Sequence, residues 1–332
     1  MAGLIDSAPR HFLRNSTLVF VLSFVFFAAR LCKAQEVSAP TIKVDVSRVN
    51  VGVIAANRHG NFVEGLQKSD FHIFDNGVEQ PIAGFLANDD PAQVVIMIEC
   101  GPAMRLFGKE NVQKADALIA RLAPQDRVSL VCYSSGPQVM FDLSSDHSAA
   151  QSFLDGMDFS SGSGDLNLSE SLLVVLDRLN SVAGKKTIVL ISSGVDGAPP
   201  VDSSLFQARI SASEVRVLVV STSLAFKKFP KAHKHDLDER EARAKVTQAF
   251  KEADARLHSL AGATGGHVYF PKAAKDYAKI YAEIAQIVRH EYNLAFVPPV
   301  PDGKLHALTV TAKHAFRVDH RQAYLAPGAT TN

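Results

Sequence analysis

The side chains best suited to chemistry follow the first long apolar stretch of the chain. Residues 94–98 read as a buried strand, and Glu99-Cys100-Gly101-Pro102-Ala103-Met104 follows directly. Further oxygen-bearing side chains come later. The candidates for metal coordination are Glu99, Asp165, Asn167, Ser193 and Asp196. Hard cations such as Mg²⁺ and Ca²⁺ take oxygen ligands, so these positions raise the hypothesis of a metal site.

A helix start competes with the metal interpretation at Asn167. Asn167 precedes Glu170 by three residues, the spacing of a helix N-cap and its reciprocal acid. An apolar face of helical period follows over residues 168–179. The sequence therefore favours a capping role for Asn167.

Patterns typical of buried strands and amphipathic helices alternate through most of the chain. Strand patterns cover residues 94–98, 127–133, 138–142, 187–191, 215–220 and 267–270, and helical patterns cover residues 168–179, 239–261 and 277–288. Such alternation predicts an α/β fold with a mostly parallel sheet and helices on both faces.

Both ends of this α/β region carry strand patterns without helices. They lie at residues 42–46, 49–55 and 71–74 before it, and at residues 293–297, 305–312 and 316–320 after it. Too few strands lie at either end to bury a face alone. We therefore expect the segments 41–86 and 290–327 to pair into one small β-sandwich-like domain, with an α/β domain of residues 92–289 inserted between them.

The order of these elements resembles that of a von Willebrand factor type A (vWA) domain, which has a Rossmann-like sheet. Residues 65–77, the triplet Thr264-Gly265-Gly266 and the closing residues 292–296 resemble a bacterial extracytoplasmic subfamily of vWA-related proteins. The resemblance covers about residues 41–327. It implies that partners bind at the loops after the parallel strands, residues 99–106, 160–167 and 193–202, which we call the top loops.

The resemblance also implies that the family's metal-ion-dependent adhesion site is degenerate. The family pattern has Asp-x-Ser-x-Ser on the first loop, a Thr on the second and an Asp after the fourth strand. At those positions this chain has Glu99, Gly101, Ala103, Leu166 and Ser193. We therefore expect no cofactor. A rearranged Mg²⁺ or Ca²⁺ site at Glu99, Asp165, Asn167, Ser193 and Asp196 is the alternative.

Two of the three cysteines lie at the predicted strand ends. The resemblance puts Cys100 after the first vWA strand and Cys132 near the end of its neighbour. A disulfide between them is one reading, and a buried, apolar Cys132 is the other.

The N-terminus indicates export. Arg10 and Arg14 precede an apolar stretch over residues 17–29, which has the length of a signal-peptide core and is too short to span a membrane. We expect a signal peptide of residues 1–34 and a periplasmic or secreted protein, with membrane attachment only if the signal segment is retained as an anchor. A formal net charge of +1 without a basic stripe argues against nucleic-acid binding.

These observations predict a non-catalytic, extracytoplasmic protein-binding or scaffold protein. Its partner is not identifiable from sequence, and the top-loop residues expected to contact it are Arg105, Asp165 and Asp196. The alternatives are a metal-dependent adhesion module and a hydrolase on the same scaffold. No nucleophile, base and orienting group can be named together, so we do not expect an enzyme.

Overall fold

The computed structural model describes residues 48–101, 104, 109–159, 165–197, 203–226 and 237–328. All of them fall within one compact unit, Val46–Asn332. The predicted signal peptide of residues 1–34 and the predicted strand at residues 42–46 lie outside the described residues. The segment boundaries 41–86, 92–289 and 290–327 stay predictions.

Fourteen strands are defined in the described part of the chain. They are β1 Val49–Ala56, β2 Phe71–Asp75, β3 Val78–Gln80, β4 Ile82–Leu86, β5 Ala92–Glu99, β6 Arg127–Tyr133, β7 Pro137–Ser144, β8 Lys185–Ser192, β9 Arg216–Ser221, β10 Val268–Tyr269, β11 Tyr292–Phe296, β12 Leu305–Ala312, β13 Arg317–Asp319 and β14 Ala323–Leu325. The α-helices among the same residues are α1 Lys109–Gln113, α2 Asp116–Ile119, α3 His147–Gly156, α4 Leu168–Asn180, α5 Ser203–Ala212, α6 Ser223–Phe226, α7 Leu237–Ala263 and α8 Ala274–His290.

The central six-stranded sheet has the order β10-β9-β8-β5-β6-β7. All neighbours pair in parallel except β6 and β7, which are antiparallel. Every residue of β5, β8 and β9 is buried. Side chains alternate between two cores, with Ile96 and Ile98 on one face and Val95 and Met97 on the other. Helices must cover both faces to produce this pattern, and the predicted fold class is confirmed.

The strands at the two ends of the chain form two further antiparallel sheets. One has the order β13-β1-β11-β4, and the other has the order β14-β12-β2-β3. Val51 pairs with Leu294 in the first sheet, and Ile73 pairs with Val310 in the second. All four of these side chains are buried in one common cluster with Tyr324. The segment of β1 to β4, which we call the leader, and the segment of β11 to β14, which we call the tail, thus share a core. We call the two sheets that they form the β domain.

Buried charged groups join the β domain to the central sheet. Arg216, the first residue of β9, donates to Glu291 just before β11 at 2.9 Å, and both side chains are almost fully buried. Glu214 accepts a bond from the side chain of Asn50 in β1 at 2.6 Å. These contacts lie at the amino end of β9, so the β domain is attached opposite the edge that carries Glu99.

The described helices are too short or too polar to cross a bilayer.

Candidate functional site

The side chains at the carboxyl edge of the sheet are brought together by strand register. Glu99 ends β5 and is the direct partner of Tyr133, which ends β6. On the other side of β5, Ile98 pairs with Ile191, so Ser192 and Ser193 continue β8 beside Glu99. Because the three strands are parallel, their last residues meet at one edge.

The Glu99 carboxylate is buried at this edge and is held by donors from the two neighbouring strands. Its Oε2 atom accepts from the Ser193 amide and from the Ser193 hydroxyl, both at 2.7 Å. The Tyr133 hydroxyl lies 3.2 Å from Oε2 and the Ser192 hydroxyl 3.3 Å. We call these four residues the Glu99 cluster. Only 1% of Glu99 and 2% of Ser193 is exposed, so solvent and ligands do not reach them.

Burial sets the acid–base properties of the cluster. It raises the pKa of Glu99 above its ordinary value, and the bonds from Ser193, Tyr133 and Ser192 oppose that shift. Burial, followed by the nearby Glu99 charge, also raises the pKa of Tyr133 well above its ordinary value. Tyr133 is therefore a neutral hydroxyl at physiological pH.

The cluster does not fit the metal that the vWA resemblance implies. Octahedral Mg²⁺ needs several oxygens converging on a position open to water or ligand. Glu99 is the only carboxylate of the cluster, its Oε2 is surrounded by protein donors, and the Ser193 hydroxyl is already directed at it. Within the described residues, no group of three or more His, Cys, Asp or Glu side chains is arranged to hold a metal ion.

Asp196 and Asn167 form a second polar group, at the start of helix α4. Asp196 accepts from the amides of Leu168 at 3.2 Å and Ser169 at 3.1 Å, and from the Ser169 hydroxyl. Asn167 accepts from the Glu170 amide at 3.2 Å and donates to the Glu170 carboxylate at 2.6 Å. These bonds satisfy amides that the first turn of a helix leaves free. The oxygens proposed as metal ligands therefore cap a helix.

Asp165 and Arg105 are the remaining residues that the sequence predicts to contact a partner. Asp165 is exposed, two residues before the cap residue of α4. Arg105 and Ala103 lie outside the described residues. Tyr133 and Ser192 were missing from the hypothesis, although both close predicted strands whose ends meet at this edge. Recognising them required the register between β5, β6 and β8.

A disulfide joins Cys100 to Cys132 beside the Glu99 cluster. The two Cα atoms are 5.8 Å apart, within the usual range for such bonds. The spacing follows from register, because Cys132 pairs with Ile98, two residues before Cys100. The amide of Cys100 also donates to the Tyr133 carbonyl at 2.8 Å, and that of Gly101 donates to the Phe159 carbonyl at 2.8 Å. The first top loop is thus fixed at its start by covalent and hydrogen bonds.

Comparison with known proteins agrees with this architecture. The family model of the von Willebrand factor type A domain matches residues 94–196, which run from β5 through the second polar group. The protein is therefore a vWA-fold protein. A search of curated proteins found no match.

Several solved structures are similar to the chain. An aerotolerance-related membrane protein from Bacteroides fragilis, carrying multiple mutations to serine, is 16% identical, with 59% of this chain and 98% of that chain covered and a TM-score of 0.42. A von Willebrand factor type A protein from Catenulispora acidiphila is 11% identical, with 86% and 76% covered and a TM-score of 0.45.

Proposed function

We propose that this protein is a non-catalytic, extracytoplasmic binding or scaffold protein, and that its top loops recognise a partner protein without a bridging metal. The observation that carries the proposal is the Glu99 cluster. Hydroxyl and amide donors surround a carboxylate at the edge where the vWA family pattern puts its cation. An adhesion site of the metal-bridged kind would need an open coordination position there.

The recognition surface would then consist of the top loops themselves. Loops carried by a rigid sheet are where proteins commonly hold their binding groups. The disulfide and the cap of α4 fix the bases of these loops, which reduces the entropy lost when a partner orders them. Protein binding is also the usual role of vWA domains.

Two observations support the extracytoplasmic assignment. The sequence pattern of residues 1–34 is that of an export signal. The Cys100–Cys132 disulfide is a bond that persists mainly in oxidising compartments.

The metal-free proposal is tested by thermal unfolding in EDTA, Mg²⁺ and Ca²⁺. A ligand present at 100 times its Kd stabilises the native state by about 2.7 kcal/mol, which is roughly 5 to 10 °C for a domain of this size. We expect the same midpoint in all three solutions. A midpoint that rises with Mg²⁺ or Ca²⁺ and falls in EDTA would support the rearranged metal site instead.

Partner recognition is tested by capture from an extracytoplasmic extract with wild type, Arg105→Ala and Asp165→Ala, each with and without EDTA. We expect both variants to capture less partner and EDTA to have no effect. Lys313→Ala, on the exposed surface of the β domain, is the matched control. Capture that survives both top-loop changes but is lost in the control would make the β domain the binding module.

A further inference from the structure

A cavity of about 550 Å³ opens beside the Cys100–Cys132 disulfide, and both cysteines line it. Its apolar wall includes Met140 on edge strand β7 and Phe153 at helix α3, and Gly136 and Ser152 are also part of the lining. The cavity borders the Glu99 cluster, because Tyr133 is among its lining residues, and Gln138 and Met140 place it on the β7 side.

The two sulfur-bearing residues differ in exposure. Cys100 is 1% exposed and belongs to the apolar core with Ile98 and Met104. Cys132 is only partly buried. A thiolate that enters the cavity from solvent therefore reaches Cys132, because exchange depends on access to the attacked sulfur.

We propose that this cavity is a thiol–disulfide exchange site, at which a dithiol reductant attacks the Sγ atom of Cys132. The first thiolate forms a mixed disulfide with Cys132, and the Cys100 sulfur leaves with the electron pair of the broken bond. The second thiolate of the dithiol then attacks the dithiol's other sulfur atom, which is bonded to Cys132 in the mixed disulfide. Cys132 leaves as a thiolate. The products are one oxidised dithiol and two protein thiols, with the two protons of the dithiol carried over.

The surrounding structure makes this exchange reversible. The strands that carry the cysteines stay paired through seven residue pairs from Gln93–Arg127 to Glu99–Tyr133. The hydrogen bonds from Cys100 to Tyr133 and from Gly101 to Phe159 join backbone atoms and do not involve sulfur, so we expect them to persist after reduction. The two thiols therefore remain close enough to form the bond again. Reduction thus breaks the covalent bond that joins the start of the first top loop to β6.

The position of attack is tested with the full, natively folded chain. The protein is incubated with reduced glutathione, quenched with iodoacetamide and digested, and the peptides are analysed by mass spectrometry. We expect the glutathione adduct on the peptide that carries Cys132 and the alkyl group on the peptide that carries Cys100. Peptide mapping separates both from Cys32. An adduct on Cys100 alone, or no adduct until denaturant is added, would overturn the proposal.

Access through the cavity is tested by the rate of reduction with dithiothreitol. A side chain at Gly136 meets no atom within 4 Å, so Gly136→Phe projects into free space at the lining. We expect it to slow reduction by about an order of magnitude, since the rate follows access to the sulfur. Ser152→Phe, which also alters a lining residue, is a second occluding variant for use if Gly136→Phe does not fold.

The matched control for the access test is Gly262→Phe in α7, another unobstructed glycine outside the lining. Equal rates in wild type and the folded occluding variant would refute exchange through this cavity.

Discussion

At the scale of single residues, Glu99 explains how the top of this vWA domain is organised. The carboxylate of Glu99 is buried and accepts hydrogen bonds from Tyr133 and Ser193. At the edge where the vWA family pattern puts a cation, hydroxyl donors here hold the carboxyl group of Glu99. The loss of hydroxyls at the first loop was evident from the sequence, because Gly101 and Ala103 carry none. The donors to Glu99 were not evident from the sequence, because Tyr133 and Ser193 lie 34 and 94 residues away along the chain.

The buried Glu99 carboxyl should make stability depend on pH. Burial raises its pKa on folding, so the native state favours the protonated form, and the contribution of Glu99 to stability is fully present below the ordinary pKa of glutamic acid. As the pH rises through the raised pKa, the free energy of unfolding should fall by up to about 1.4 kcal/mol per pH unit. Glu99→Gln should lack this fall in urea titrations across that window.

The control for the pH measurement is Glu241→Gln, which alters an exposed residue of α7. It should retain the pH dependence of the wild type. If Glu99→Gln and wild type give parallel curves, the carboxyl does not change its protonation on folding and the electrostatic description of the cluster is wrong.

At the scale of elements, helix α4 is started by two separate segments. Asn167 is its own cap residue, whereas Asp196 reaches the first turn from the loop after β8. The sequence spacing of Asn167 and Glu170 predicted the first cap. Nothing local predicted the second, because Asp196 lies 27 residues from Ser169. A charged oxygen at a helix start also interacts favourably with the helix dipole.

Replacing Asp196 should therefore weaken the fold as well as any contact with a partner. Asp196→Ala leaves the Leu168 and Ser169 amides without their acceptor, and we expect a loss of about 1 kcal/mol in urea unfolding. Asp196→Asn keeps one oxygen and should lose less. Equal stability of all three proteins would mean that Asn167 alone starts the helix, and Asp196 would then be free for recognition.

The disulfide should contribute measurably to stability. It closes a loop with a sequence separation of 32 residues between neighbouring strands. Removing both sulfurs with Cys100→Ala and Cys132→Ala should lower the free energy of unfolding by about 2–4 kcal/mol. Wild type unfolded in reducing buffer provides the comparison and should lose a similar amount. No loss in either case would mean that the unfolded chain gains little freedom when this bond is absent.

The central sheet was largely predictable from sequence, and its one antiparallel strand could also have been. Unbroken apolar runs identify strands buried on both faces, and β5 and β8 follow that rule. Only residues 134–136 separate β6 from β7, which is too short for a parallel crossover. The pairing between leader and tail could be proposed from counts of strands, but its register depends on contacts that no local pattern encodes.

At the scale of the whole molecule, the β domain depends on strands from both ends of the described chain. β1 lies between β11 and β13, and β2 lies between β3 and β12. A chain that ends at Val288 loses β11 to β14 and leaves the apolar faces of β1 and β2 without partners. We expect it to aggregate in size-exclusion chromatography, because unpaired edges and exposed apolar faces promote association.

The control for this truncation is a chain that ends at Gly328, which keeps every described strand. It should elute as the full chain does. A chain ending at Val288 that matches it in elution volume and thermal midpoint would show that β1 and β2 are stable without the tail.

The joining of leader and tail also determines when each part can fold during synthesis. The amide of Leu66 donates to the Tyr292 hydroxyl across 226 residues of intervening chain, and that residue leaves the ribosome long after Leu66 does. At about 5–20 residues per second, the delay is on the order of ten seconds or more. The vWA sheet has all its strands before Tyr292 appears, so it can form first. Over that interval β1 and β2 lack the strands that pair with them later, so these two segments most need protection by a chaperone.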